Sequence, residues 1–152
     1  MRLAKSKPGK NNAVNHGHLL SLLEPNQDNH NFFYNKDQFH HILKIERIRS
    51  ERSQHPLLLM LLDISEALSH GHIQETQWKI MSAVCPALRE ADIRGWYHYN
   101  KTIGIIFTEI PSIDANSIEV IIRKIHRQLQ EGLDPDLIAK INIFFHIYPR
   151  TS

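Results

Sequence analysis

Pro56-Leu57-Leu58-Leu59-Met60-Leu61-Leu62-Asp63-Ile64 is the stretch on which the fold turns. A proline cannot continue a helix but can open a strand, and the apolar run behind it stops abruptly on a carboxylate. A segment apolar on both faces predicts a strand in the middle of a covered sheet, with Asp63 at its end.

Upstream, Asn35 is placed to cap a helix over Lys36 to Arg52, with Phe39, Ile42, Ile45 and Ile48 forming its apolar stripe. Residues 1–31 are rich in Asn, Lys, His and Ser and include Pro8, Gly9, Gly17 and Pro25. They predict a flexible polar tail with one short helical piece around His18 to Leu23, leaving 32–152 as the domain. Downstream, a helix is expected from about His72 to Ala91, with Ile73, Trp78 or Gln77, Met81, Val84, Cys85 and Leu88 to one side and Pro86 bending its last turn. Ile93 to Tyr99 and Thr102 to Ile110 predict two strands around a turn at Asn100 and Lys101. Asp114 caps a helix over Ser117 to Leu129 that Gly132 ends, and Ile141 to Tyr148 alternates as a last strand with aromatics on its second face. After the first helix the order is β-α-β-β-α-β, so the expected class is α+β, a ferredoxin-like sheet with an N-terminal helix and a tail.

Composition bounds the function. The chain has 152 residues, 41% hydrophobic and 22% charged, which suits one globular domain. No apolar stretch approaches the roughly 20 residues of a membrane span, and the cluster Leu19 to Leu23 is too short and too late for a signal-peptide core. The expectation is a cytoplasmic protein without membrane insertion. A formal charge of +2, with no basic stripe interleaved with aromatics, argues against nucleic acid. Cys85, the one cysteine, excludes an internal disulfide and reads as a buried structural thiol. Eleven histidines, including His40-His41 and His70-Gly71-His72, lack the spacing of a zinc site. Lys44, Arg47, Arg49 and Arg52 give the first helix a basic side, read as a solvated face.

Phe39, Leu43, Glu46, Arg49 and Arg52, followed by the Pro56 to Ile64 run, resemble the opening of GGDEF domains, the diguanylate cyclases. Leu88-Arg89-Glu90-Ala91-Asp92-Ile93-Arg94-Gly95-Trp96-Tyr97 resembles the approach to their signature, and Ile103 to Pro111 with the following helix resembles what succeeds it. The likeness spans roughly Phe33 to Tyr148. At the signature itself the chain reads His98, Tyr99, Asn100, Lys101 and Thr102 instead of Gly-Gly-Asp-Glu-Phe, and Ser65 stands where the family commonly has a second acid. Phosphoryl transfer in that family needs metal ions to neutralise phosphate charge, and Asp63 beside Lys101 is a poor site for them. The resemblance therefore implies a domain that is not an enzyme, with no cofactor and with Asp63 a vestigial metal ligand holding residual magnesium at most. Lys101-Thr102-Ile103-Gly104 also resembles a stretch of the adenylate and guanylate cyclases, but Ile105 stands where those enzymes place a metal-binding Asp.

Arg89 and Asp92 match the Arg-x-x-Asp inhibitory site with which many GGDEF domains bind cyclic di-GMP, and Arg94 is a candidate third contact. An Arg forms paired bonds to phosphate or guanine, and a carboxylate accepts from guanine N1 and N2. Two functional expectations follow from the resemblance. One is an inactive signalling domain that receives cyclic di-GMP, as in degenerate domains linked to exopolysaccharide production. The other is a ligand-free module for a protein partner or homodimer, using the rings of Trp96, Tyr97 and Tyr99.

Overall fold

The computed structural model describes residues 32–68, 71–108, 110 and 114–149. The tail expected over 1–31 and His70 lie outside them.

A five-stranded sheet forms in the order β1-β3-β4-β2-β5. Its strands are β1 (Phe33–Tyr34), β2 (Leu57–Asp63), β3 (Ile93–His98), β4 (Thr102–Phe107) and β5 (Asn142–Tyr148). The helices are α1 (Lys36–Ser53), α2 (Ile73–Val84), α3 (Ala115–Gly132) and the short α4 (Pro135–Ile138). β2 runs antiparallel to both β4 and β5, β3 and β4 form the expected hairpin, and β1 lies parallel to β3. From β2 onward the βαββαβ order holds.

The unbroken apolar run of β2 works because its alternate residues enter two different cores. Leu58, Met60 and Leu62 pack with Ile80 and Val84 of α2 and with Ile125 and Leu129 of α3. Leu57, Leu59 and Leu61 turn the other way, onto Phe39 and Leu43 of α1. Each buried Leu or Ile contributes about 1.5–3 kcal/mol, so neither face of this strand is free to vary.

Two glycines position α1. Gly95 and Gly104 face each other across the β3–β4 hairpin, and a Cβ on Gly104 would lie 2.5 Å from Cζ of Phe39. A Cβ on Gly95 would lie 2.6 Å from the Tyr34 carbonyl oxygen. The pair leaves a flat slot that the Phe39 ring fills.

The helices depart from expectation in which faces they bury. Asn35 caps α1 through a reciprocal box with Gln38, as its position predicts. The buried stripe of α1, however, is Phe39, Leu43 and Ser50, while Ile45 and Ile48 are exposed. The Ser50 hydroxyl donates to the His55 carbonyl, which ties the end of the helix to the chain entering β2. α2 stops at Val84 and tightens into a 3-10 turn over Cys85–Ala87, where Pro86 needs no N–H donor. Trp78 points outward, 69% exposed, whereas Trp96 is 7% exposed with edge-to-face contacts to Phe33 and Tyr99. Among the described residues no helix is long and apolar enough to cross a membrane.

Candidate functional site

Two corners hold the residues singled out by sequence. At the first, register places Asp63 directly opposite Thr102 on β4, and the Ile64 amide donates to the Lys101 carbonyl at 2.9 Å. The strand end and the hairpin turn are thus brought together as expected. The turn passes through Tyr99, Asn100 and Lys101 with Asn100 at φ 54°, a left-handed conformation that Asn tolerates better than most residues.

The Asp63 carboxylate is already engaged. Its Oδ1 accepts from the Ser65 hydroxyl at 2.7 Å and from the Ser65 amide at 3.0 Å. Those bonds hold its pKa below the ordinary carboxylate value against the opposing effect of burial, and the charges of Lys101 and His98 add to the lowering. A divalent ion wants several oxygen ligands, and here a single carboxylate faces a lysine. Among the described residues, no group of three or more His, Cys, Asp or Glu side chains is placed to hold a metal. The residues present do not fit a magnesium pair.

At the second corner, the chain turns between the 3-10 segment and β3. The Asp92 amide donates to the Arg89 carbonyl, and Asp92 Oδ2 accepts from the Arg89 amide at 2.8 Å. The Arg89 guanidinium lies 3.5 Å from Asp92 Oδ1 and donates to the Thr108 carbonyl at 2.6 Å. Arg and Asp are therefore together, but they serve each other and the turn. The Arg89 side chain is 50% exposed and that of Asp92 only 1%.

Burial pushes the Asp92 carboxyl above its ordinary value, against the Arg89 amide and the charges of Arg89 and Arg94. Arg94 is also buried on β3, where its Nη1 donates to Cys85 Sγ at 3.1 Å. Asp92 Oδ1 and Arg94 Nε have no hydrogen-bond partner among the described residues. Arg94 is thus an interior residue and is not presented with Arg89 to solvent. Nothing in the sequence marks Cys85 as its partner, because the contact joins a helix end to a strand.

Beside this turn an open groove of about 920 Å³ runs under the end of α1. Arg49, Arg52, His55, Thr108 and Ile110 are among the residues that line it, and Glu46, also in the lining, lies 3.3 Å from Arg49. Sequence reasoning missed it, since its walls come from segments far apart in the chain. Of the three rings offered for a partner, Trp96 is interior, Tyr97 lies against His40, whose Nε2 is 2.7 Å from the Tyr97 carbonyl, and Tyr99 is exposed while its ring contacts Trp96.

Comparison with solved structures supplies the context for this sheet. A DGC protein from Thermotoga maritima superposes with a TM-score of 0.57 at 18% identity, covering 78% of this chain and 83% of that one. The GGDEF domain of DgcB from Caulobacter crescentus, solved in complex with c-di-GMP, gives 0.55 at 13% identity over 76% and 71%. The fold is that of the GGDEF domain. Diguanylate cyclase SiaD from Pseudomonas aeruginosa, solved with its activator SiaC, gives 0.57 at 16% identity, with 87% of this chain covering 53% of SiaD, about half its length. No family model and no curated protein matches the chain.

Proposed function

We propose that this chain is a non-catalytic signalling domain built on the GGDEF fold, acting by binding instead of by turnover. The observation that carries the reading is the Asp63 corner, where one carboxylate is bonded to Ser65 and faces Lys101. Joining two nucleoside triphosphates requires charge neutralisation on the phosphates and alignment of the attacking hydroxyl, and this corner offers a cation where metal ligands would be needed. Incubation with GTP and magnesium or manganese, followed by chromatography, is expected to leave GTP unchanged. Accumulation of a cyclic dinucleotide at steady rate overturns the proposal.

A second observation bears on what is bound. Arg89 is half-exposed, and its guanidinium reaches Thr108 on the wall of the basic groove. This favours an anionic ligand such as cyclic di-GMP held by Arg89 alone, with Asp92 kept inside the turn. Titration calorimetry decides between this and a protein partner. Heat that Arg89→Ala reduces by at least about tenfold in affinity supports the ligand reading, since a charged bidentate contact is worth that much. No heat at high micromolar ligand leaves the interaction module.

A further inference from the structure

By sequence Cys85 reads as a buried structural thiol, but in the fold it is only partly buried, at the point where α2 tightens into the 3-10 turn. A thiol alone is not a site. What sets this one apart is the guanidinium aimed at it from β3. Arg94 is 3% exposed, and the only hydrogen bond its side chain makes among the described residues runs from Nη1 to Cys85 Sγ at 3.1 Å. Its Nε has no partner. Among the described residues no carboxylate lies within ion-pair distance of Arg94, since Asp92 is taken by Arg89. A buried cation is costly unless it is paired, and a neutral thiol is only a weak acceptor. Arg94 is thus a buried charge whose one directed contact is a sulfur.

We propose that Cys85 is an oxidative modification site, at which a hydroperoxide converts the thiol to a sulfenic acid with Arg94 assisting. The reacting form of a cysteine is the thiolate, and a cation beside the sulfur stabilises the negative charge that this form carries into the reaction. The sulfur gives its proton to solvent and attacks one peroxide oxygen. An S–O bond forms, the O–O bond breaks, and the second oxygen leaves as hydroxide, which takes up a proton. Sulfur is oxidised by two electrons and the peroxide reduced by two, so hydrogen peroxide yields a sulfenic acid and water. The unpartnered Nε leaves the guanidinium with hydrogen-bonding capacity for the oxygen added to the sulfur. Partial burial admits a small hydroperoxide more readily than a bulky disulfide. Because Cys85 is the one cysteine of the chain, no internal disulfide can follow, and the sulfenic acid persists until an external thiol condenses with it.

The test follows oxidation directly and is independent of any nucleotide. The full chain is treated with hydrogen peroxide at about pH 6, with dimedone present to trap the sulfenic acid, and the adduct at Cys85 is followed by mass spectrometry for the folded chain and for the chain in urea. Partial burial by itself slows a thiol, so a merely structural cysteine reacts faster in urea. The folded chain is expected to react at least about fivefold faster than the unfolded one. Arg94→Met is expected to remove that advantage and Arg94→Lys, which keeps a cation, to retain part of it, with circular dichroism establishing that each variant is folded. The comparison within the parent chain needs no variant and decides the matter even if Arg94→Met does not fold. A folded chain that reacts no faster than the chain in urea, or an advantage indifferent to the charge at position 94, overturns the proposal.

Discussion

Asp92 shows how a recognisable residue can be used for something other than what its neighbours in sequence suggest. Arg89-Glu90-Ala91-Asp92 is legible as a pattern, but the direction of the carboxylate depends on the turn that follows Pro86, and the turn sends it inward. Its raised pKa means that the folded chain holds this proton to higher pH than the unfolded chain does. The associated stability is fully present below the unfolded value, near 3.9, and is lost as pH rises through the raised folded value. Asp63 runs in the opposite sense, contributing above its unfolded value and losing that contribution as pH falls through its lowered one. Asp92→Asn retains an oxygen acceptor for the Arg89 amide without an ionisable group. Denaturant midpoints measured from about pH 4 to about pH 7 should show the variant gaining on the parent as pH rises. Parallel profiles would remove burial as the cause. The setting of Asp63 is likewise legible only as far as residue identity goes. Sequence shows a serine at position 65, whereas the two bonds from Ser65 to Asp63 emerge from the turn after β2.

At the scale of elements, β2 was the easiest to read, because seven residues with six apolar side chains leave no alternative to a doubly covered strand. Two helix starts were also legible, with Asn35 and Asp114 capping where expected, whereas the end of α2 at Val84 was not. β1 was not, since Phe33 and Tyr34 have no periodicity of their own and become a strand only by pairing with Arg94 and Gly95. The buried face of α1 departs from its apolar periodicity for a related reason. Its isoleucines match a helical period, but the sheet accepts the stripe of Phe39, Leu43 and Ser50, fixed by the slot above Gly95 and Gly104. Gly104→Ala should therefore overpack Phe39 and destabilise the domain by about 1–3 kcal/mol. Combining it with Phe39→Leu should cost less than the sum of the two single changes, because both act on one volume. Strict additivity in chemical denaturation would show that the glycine matters for some other reason.

For the whole molecule, the βαββαβ order was available from periodicity, and the opposite placement of α1 against α2 and α3 follows from a strand that must be covered twice. The groove under α1 and the outermost position of β5 among the described strands were not available, because both depend on which strands become neighbours. The placement of the two tryptophans has an optical consequence. Trp78 lies in water, and Trp96 sits between Phe33 and Tyr99 at the root of the hairpin. Native fluorescence should resolve into a red-shifted component that iodide quenches and a blue-shifted one that it does not. Trp78→Phe should abolish the first and spare the second, leaving a single emitter that reports on the hairpin. The chain thus carries its own paired probe, with one lamp in the solvent and one in the fold.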